Sequence, residues 1–345
     1  MADPSSLISG GDNVHLTTHP DHMEVVQNAP SWKASMTPSG EYVRAQSAFR
    51  HFVTAEGSSG FVAEPGRYHL YVSLACPWAH RTLIVRKLKG LEDIISVNVV
   101  DWLLQEVWSF NGQRDGCTPD TVNSCATLRD VYHLAQPGYS GRVTVPVLWD
   151  KKEKTIVNNE SSEIIRMLNV EFNAFCQTDE QRNLDLYPVE LRAEIDAINE
   201  WIYRDINNGV YKCGFARSQE AYDNAVINLF AALDKVEVIL SEHRYLLGSQ
   251  LTEADIRLFT TLVRFDMVYV THFKCNRKRI ADYKNLWGFV RDIYQTAGIG
   301  ETVNMEHIVN HYYQSHRTIN PFGIVPLGPV LDFNAVHERG KEQNV

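Results

Sequence analysis

The sequence predicts an α/β domain followed by an all-helical domain. Between residues 67 and 170, short runs with strand-like alternation of apolar and polar side chains are interleaved with helical segments. From residue 188 onward strand signals disappear, and apolar residues recur at i, i+3 and i+4, the spacing of one helix face. The polar segment 171–187 lies between the two patterns, and we expect it to be a linker.

The composition is that of an ordinary folded protein with an excess of negative charge. Its 345 residues contain 33 Lys and Arg against 42 Asp and Glu, a formal net charge of −9. Such a chain lacks the basic surface of a dedicated nucleic-acid binder or of a protein held on anionic lipid. No apolar run approaches the roughly 20 residues that cross a bilayer. We therefore expect neither nucleic acid nor a membrane as a partner.

Residues 1–66 predict an irregular N-terminal arm that is partly disordered at its start. The arm is polar and rich in Ser, Gly, His and Pro, and only residues 42–53 have enough apolar character to pack. Its beginning resembles neither a secretory signal nor a mitochondrial transit peptide. The six cysteines are scattered through the chain without the density of a disulfide framework. These features indicate a cytoplasmic protein with mostly buried, free thiols.

The first domain begins with a βαβ unit. Residues 68–74 alternate as a strand, a helix follows from Pro77, and Gly90 is a typical helix stop. Residues 94–102 form a second β-rich run. Strand, helix and strand within so short a stretch predict a βαβ unit.

A long polar insert, residues 103–142, separates this unit from a predicted hairpin and helix. The hairpin comprises residues 143–149 and 154–158, and the helix comprises residues 160–169. The order βαβ then ββα is that of a thioredoxin-like domain, which we place at residues 67–170.

The all-helical domain is placed at residues 188–318. Its predicted helices span residues 189–206, 221–243, 254–270, 280–296 and 304–313. Thr252 and Asp255 have the spacing of a helix-start capping arrangement, which gives Asp255 a structural role. The prolines of the closing segment exclude one continuous helix, so residues 319–345 are predicted to be a C-terminal tail.

Cys76 is the strongest candidate for a chemical role. It ends a strand and lies at the entrance of a helix, where backbone N–H groups and the helix dipole stabilise a thiolate and lower the thiol pKa. His80 and Arg81 follow on the same helix and could add positive potential. A lone cysteine is more commonly a buried apolar thiol, but the strand–Cys-Pro–helix context favours a reactive one.

The position three residues after Cys76 is Ala79, so no Cys-x-x-C pair is present. A mixed disulfide on Cys76 would then be resolved by a small external thiol, which favours a glutathione-dependent monothiol enzyme over a dithiol carrier. Cys117 and Cys125 in the insert are a weaker alternative for the resolving thiol.

Other candidate ligand contacts lie at the start of the hairpin and of the helix after it. Proline in the Val145-Pro146 pair is commonly cis in a thioredoxin-like domain, so that the Val145 backbone can pair with a peptide ligand, although Pro146 could simply cap an edge strand. Glu160 and Ser161 could receive the ammonium and carboxylate of an α-amino acid end, such as the γ-glutamyl group of glutathione, or form a plain N-cap.

Further candidates flank the same edge of the domain or lie in the helical domain. Arg142 could hold a second carboxylate, and Trp102 could cover the peptide or fill the core. Three tyrosines with polar neighbours could line a pocket for a flat aromatic substrate: Tyr203, Tyr312 and Tyr313. No zinc-ligand spacing is present, so no metal is expected.

Several segments together resemble the glutathionyl-hydroquinone reductases, also called the xi class of glutathione transferases. They are SLACPWAHRTLIVRKLKGLE, VTVPVLWD, NNESSEIIRM, EWIYRDINNGVYKCGFA and SHRTINPFGIVPLGP, and the similarity runs from about residue 32 to residue 329. The resemblance implies a glutathione transferase fold, glutathione as co-substrate, and a homodimer. It implies that Cys76 is the catalytic cysteine, where the wider superfamily has a Ser or Tyr that activates glutathione, and this shifts the chemistry from conjugation to thiol exchange.

The resemblance also implies roles for the other candidates. The glutathione-binding residues would be Trp102, Arg142, Val145, Pro146, Glu160 and Ser161. Tyr203 and the pair Tyr312–Tyr313 would belong to the aromatic-substrate site, with Tyr203 or Tyr312 as a proton donor or polariser.

The resulting hypothesis is glutathione-dependent reduction of glutathionyl-hydroquinones through a Cys76–glutathione mixed disulfide. Three alternatives remain open at this point. They are a conjugating glutathione transferase, a general thioltransferase or dehydroascorbate reductase, and a non-catalytic module of the same fold that binds partners.

Overall fold

A computed structural model describes residues 35–340, and the expected disorder at the start of the arm falls on residues outside this range. The first domain is built on a four-stranded mixed sheet with helices packed on it. Its strands are β5 (Tyr68–Val72), β6 (Ser96–Val99), β7 (Val147–Asp150) and β8 (Thr155–Asn158), and the arm before them contains β1 (Ser35–Met36), β2 (Tyr42–Val43), β3 (Val53–Thr54) and β4 (Phe61–Val62). The helices of the first domain are α1 (Pro77–Leu88), α2 (Leu128–Ala135) and α3 (Ser161–Val170).

The strand order in the sheet is β6-β5-β7-β8. β5 pairs in parallel with β6, opposite Ser96 to Val99, and antiparallel with β7. β7 and β8 form the expected antiparallel hairpin. The βαβ-ββα order predicted for a thioredoxin-like domain is therefore confirmed.

From residue 171 to the end of α10 the regular structure is helical, as predicted. Its helices are α4 (Asp179–Asn183), α5 (Arg192–Ile202), α6 (Gly209–Phe215), α7 (Gln219–Glu242), α8 (Glu253–Arg264), α9 (Lys284–Gln295) and α10 (Met305–Ser315). π-helical turns continue α5 over Tyr203–Asn207 and α8 over Phe265–Tyr269. Helix α8 packs against α1, which places the helical domain directly beside the start of α1. No helix within residues 35–340 combines the length and apolar character needed to span a bilayer.

Three regions differ from the sequence-based expectation. The segment predicted as a linker contains α4, capped by Thr178, because its polar residues satisfy a helix start. The insert contains α2, whose first turn is closed by a capping box between Thr127 and Asp130. The segment predicted as one helix over 280–296 begins instead with a 3-10 turn over Ile280–Asp282 before α9.

The N-terminal arm, which was predicted to be irregular, differs most from the sequence-based expectation. The main chain of residues 49–51 runs along β8, where the His51 amide donates to the Val157 carbonyl at 3.0 Å and the Asn159 amide donates to the Phe49 carbonyl at 3.1 Å. An edge strand has unpaired backbone groups that accept such an addition. The arm therefore covers the outer edge of the sheet.

Candidate active site

Cys76 is the N-cap residue of α1, four residues after the end of β5. Its Sγ lies 3.8 Å from the carbonyl oxygen of Val145 as a hydrogen-bond donor. The Val145–Pro146 peptide bond is cis, as the sequence predicted. The thiol thus faces the backbone of the β7 side of the sheet across the start of α1.

Burial raises the pKa of the Cys76 thiol above its ordinary value. The N–H groups of Ala79 and Trp78 and the charges of two arginines, Arg264 and Arg44, act in the opposite direction and offset this only in part. The expectation of a lowered thiol pKa is therefore wrong, because desolvation of the thiolate outweighs the helix start.

The two basic residues that follow Cys76 on α1 point away from it. His80 is fully buried, and burial holds its pKa well below the ordinary value, so the ring is neutral. Arg81 donates to the Ser161 hydroxyl at 3.3 Å and to Oδ1 of Asn207 at 3.0 Å. Neither residue supplies the positive potential at Cys76 that the sequence suggested.

Arg264, at the end of α8, supplies positive potential at Cys76. Its Nε donates to the Ala75 carbonyl at 2.9 Å and its Nη2 to the Leu74 carbonyl at 3.1 Å. The guanidinium therefore holds the two residues before Cys76. Sequence inspection had no signal for this contact, because the two partners are separated by 189 and 190 positions.

An open cavity of about 180 Å³ lies beside Cys76. Cys76 itself is not on the cavity wall. The wall does contain Val145, whose carbonyl accepts from the thiol, and Trp78, two residues after Cys76 on α1. The wall contains these residues: Arg44, Ala45, Gln46, Ser47, Ala48, Arg50, Trp78, Tyr139, Arg142, Thr144, Val145, Pro146, Asn159, Glu160, Ser161 and Tyr203. Five of the six predicted glutathione-binding residues are thus brought together.

Glu160 is the N-cap residue of α3. Its Oε1 accepts from the Ser162 amide at 3.1 Å, and its Oε2 accepts from the Ser47 hydroxyl at 3.0 Å. Burial alone would raise the pKa of the carboxyl, but the hydrogen bonds from Ser162 and Ser47 hold it below the ordinary value. The cavity therefore contains an ionised carboxylate at neutral pH, next to the first N–H groups of a helix.

Trp102 is the sixth predicted residue, and it does not line the cavity. The Arg114 guanidinium lies 4.6 Å from the centre of its indole ring, and its carbonyl oxygen accepts from Nδ1 of His311 at 2.9 Å. The structure therefore places Trp102 against the insert and α10.

The predicted tyrosines fall in three different environments. Tyr203 lines the cavity and is 36% exposed, with its ring centroid 5.8 Å from that of Trp78. Tyr312 is buried, and Tyr313 is buried with its hydroxyl donating to the Met267 carbonyl at 3.1 Å. The Tyr313 hydroxyl thus points toward the main chain at Met267.

The hydroxyl of Tyr312 lies in a cluster of three phenols that the sequence did not predict. It is 2.6 Å from the Tyr211 hydroxyl and 3.0 Å from the Tyr269 hydroxyl. Burial raises the pKa of Tyr269 to about 12 and those of Tyr211 and Tyr312 well above the ordinary value. All three hydroxyls therefore keep their protons at neutral pH.

No group of His, Cys, Asp and Glu side chains in the described part of the chain is arranged to hold a metal ion. Of the three histidines near Tyr312, His316 contacts the other two: its Nδ1 lies 3.1 Å from Nε2 of His272, and its ring centroid lies 5.5 Å from that of His311.

Two family descriptions match the chain. The N-terminal domain of glutathione S-transferases matches residues 75–171, and the C-terminal domain matches residues 219–292. The chain is 58% identical over 316 residues to the glutathionyl-hydroquinone reductase YqjG of Escherichia coli, covering 90% of this chain and 95% of the relative. It is 50% identical over 302 residues to the glutathionyl-hydroquinone reductase PcpF of Sphingobium chlorophenolicum, covering 87% and 93%.

Solved structures of the same kind of protein are also similar to this chain. The glutathione-bound structure of YqjG superimposes with a TM-score of 0.82 at 60% identity, covering 85% of this chain and 96% of the other. The xi glutathione transferase of Phanerochaete chrysosporium superimposes with a TM-score of 0.83 at 51% identity, covering 86% and 95%.

Proposed function

The chain belongs to the glutathionyl-hydroquinone reductases, the xi class of the glutathione transferase family, and we propose that it reduces glutathionyl-hydroquinones with glutathione through a mixed disulfide on Cys76. The observation that supports this most directly is the position of the thiol. It faces the cis Val145–Pro146 bond beside a cavity whose wall contains Glu160 and Ser161.

The reaction has two half-reactions. In the first, the ring carbon that carries sulfur takes up a proton and the Cys76 thiolate attacks the sulfur of the adduct. A sulfur–sulfur bond forms, the carbon–sulfur bond breaks, and the hydroquinone leaves. In the second, a glutathione thiolate attacks the mixed disulfide, so that oxidised glutathione leaves and the Cys76 thiolate is restored.

Resolution by glutathione is supported by the surroundings of Cys76. Ala79 stands where a second thiol of a Cys-x-x-C motif would be, and neither Cys117 nor Cys125 lines the cavity. All six cysteines are free thiols.

Glutathione would bind along the cavity wall. The Val145 backbone would pair with its peptide, Glu160 with its ammonium, and Ser161 with the adjacent carboxylate. Arg142 would hold the second carboxylate. Trp102 is left out of this proposal because it does not line the cavity.

The proton for the leaving ring would come from a phenol. The Tyr312 hydroxyl lies within hydrogen-bonding distance of the Tyr211 and Tyr269 hydroxyls, and all three are protonated at neutral pH. Tyr203, on the cavity wall, is the second candidate.

The test is the intact mass of the protein after mixing with glutathionyl-menadiol in the absence of free glutathione, with Cys76→Ser as the control. We expect one glutathionyl group on the wild type alone, together with released menadiol. An adduct on Cys76→Ser, or release of menadiol without an adduct, would show that Cys76 is not the nucleophile.

We further propose that the protein is a cytoplasmic homodimer. The free thiols are consistent with a reducing compartment. The tail after α10 leaves large apolar side chains exposed, including Phe322, Leu327 and Val330, which a second subunit would cover. Sedimentation equilibrium and cell fractionation test the two statements.

A further inference from the structure

Arg44, from the N-terminal arm, places its guanidinium in a cage of aromatic rings at the cavity. The guanidinium carbon lies 4.6 Å from the ring centre of Trp78, 4.8 Å from that of Tyr211 and 5.4 Å from that of Tyr42. Its Nε donates to Oδ1 of Asn208 at 2.8 Å. One side of the fork is thus fixed by Asn208, the residue that follows the π-helical turn Tyr203–Asn207.

The other side of the fork has no partner. Nη2 of Arg44 is buried and makes no hydrogen bond, and within residues 35–340 no carboxylate forms an ion pair with this guanidinium. The contrast with two other arginines is clear. Arg50, on the same arm, pairs with Glu163, and Arg264 is bonded to several acceptors. A buried donor without an acceptor is costly, which points to an acceptor supplied by a ligand.

The position of Arg44 indicates which part of the ligand supplies it. Arg44 lines the cavity together with Trp78 and Tyr203, and its charge acts on the Cys76 thiol. The two ends of glutathione have other partners in the proposal above. The wall beside Arg44, which contains the aromatic side chains of Trp78 and Tyr203, instead suits a flat ring held close to the reacting sulfur.

The chemistry of the first half-reaction creates an anion on that ring. In the keto tautomer of the adduct, a proton has moved from one ring hydroxyl to the carbon that carries sulfur. When the Cys76 thiolate attacks that sulfur, the electron pair of the carbon–sulfur bond passes into the ring and onto the neighbouring carbonyl oxygen. Cysteine sulfur is oxidised to the disulfide state, the ring is reduced, and the hydroquinone leaves as a phenolate that a proton then neutralises.

We propose that Arg44 is a catalytic residue whose Nη2 donates to this ring oxygen and stabilises the negative charge of the leaving hydroquinone. The inference rests on the proposed function and adds the group that recognises the hydroquinone part of the substrate. Hydrogen bonds to an ionised oxygen are stronger than neutral ones, so the contact strengthens as the bond to sulfur breaks.

The test compares two substrates that share glutathione and Cys76 but differ in the leaving group. Glutathionyl-menadiol releases a phenol, and the mixed disulfide of glutathione with 2-mercaptoethanol releases a thiol. For Arg44→Met we expect kcat/KM for glutathionyl-menadiol to fall about tenfold or more, since a hydrogen bond to a charged group is lost. The mixed disulfide should keep its rate within about threefold.

Arg44→Lys keeps the charge without the fork, and we expect a loss between those of the wild type and the methionine variant. Arg192→Met is the matched control, because Arg192 also lies over a ring, 5.1 Å from that of Tyr187, but outside the cavity. Thermal melting checks that each variant is folded, and the lysine variant carries the comparison if the methionine variant is not.

An equal loss on both substrates would assign Arg44 to the thiol or to glutathione and overturn the inference, as would no loss on either. A wild-type protein that reduces the mixed disulfide but not glutathionyl-menadiol would instead overturn the proposed function itself. The two failures are distinguishable because the second is seen without any variant.

Discussion

Replacing Arg264 by methionine removes the connection between α8 and the turn that presents Cys76. Arg264 is fully buried, and its guanidinium donates to the carbonyls of Leu74, Ala75 and Thr260 at 3.1, 2.9 and 2.7 Å. Its Nη1 also lies 3.0 Å from Nδ1 of His80. Methionine has similar length and no donor, so all of these bonds are lost while the packing volume is roughly kept.

The magnitude follows from the acceptors left behind. Thr260 lies four residues before Arg264 in α8, so its carbonyl keeps a helical partner, but the Leu74 and Ala75 carbonyls do not. A buried acceptor without a donor costs about 1–3 kcal/mol, which gives about 2–6 kcal/mol for the pair. Removal of a buried charge offsets part of this, and we expect the free energy of unfolding to fall by about 3 kcal/mol.

Urea denaturation measures this loss, and the pH profile of Cys76 alkylation by iodoacetamide measures the effect at the site. Arg264 lowers the pKa of the Cys76 thiol, so its removal should shift the profile to higher pH. Arg264→Lys should keep most of the pKa effect and lose part of the stability, because it has the charge but not the fork.

Arg291→Met is the control for an arginine of α9 that stacks on Trp287, 5.4 Å from its ring centre, away from Cys76. We expect it to change the free energy of unfolding by less than about 1 kcal/mol. A loss below about 1 kcal/mol for Arg264→Met would refute the argument from the two carbonyls. An unshifted alkylation profile would refute the effect of the Arg264 charge on the thiol.

Three further predictions concern the site. Because burial raises the pKa of the Cys76 thiol, its alkylation in the wild type should rise roughly tenfold per pH unit from pH 7 to 9, and a plateau within that range would contradict the burial argument. Glu160→Gln should weaken binding of S-methylglutathione about tenfold by calorimetry. Since the pKa of Glu160 lies below its ordinary value, wild-type binding should be constant from pH 8 to 6, and weakening already at pH 6 would count against an ionised carboxylate. Tyr312→Phe should lower turnover of glutathionyl-menadiol about tenfold and Tyr313→Phe less than twofold, because only the Tyr312 hydroxyl belongs to the phenol cluster. Equal effects of the two variants would show that the cluster has no role in catalysis.

Structural features that depend on a few neighbouring residues could be predicted from the sequence. The helix start after Cys76, the cis bond before Pro146 and the N-cap at Glu160 each depend on neighbouring residues, and the structure contains all three. The order of strands and helices likewise follows from local periodicity. Local patterns therefore placed Cys76 at the start of a helix and predicted most of the residues on the cavity wall beside it.

Contacts between distant segments were not predictable in this way. Ser47 reaches Glu160 across 113 positions, and its segment had been assigned to an irregular arm outside the domain. The direction of the Tyr313 hydroxyl depends on how α10 is rotated against the π-helical turn that contains Met267. The pKa of Cys76 depends on how far the folded chain buries the thiol, and the residues around the cysteine in sequence do not reveal this.

The two arginines that act on Cys76 differ in a way that separates their roles. Arg264 has its donors occupied by backbone carbonyls, so its contribution is present before any ligand arrives and is the same for every substrate. Arg44 also lowers the pKa of the thiol before any ligand arrives, but it keeps one buried donor without a partner, so it has a second contribution that depends on what the ligand offers. A variant at Arg264 should therefore shift the reactivity of the thiol toward all substrates alike, whereas a variant at Arg44 should change the ratio of rates between a phenol-releasing and a thiol-releasing substrate. That ratio, rather than either rate alone, distinguishes a residue that positions the nucleophile from one that recognises the leaving group.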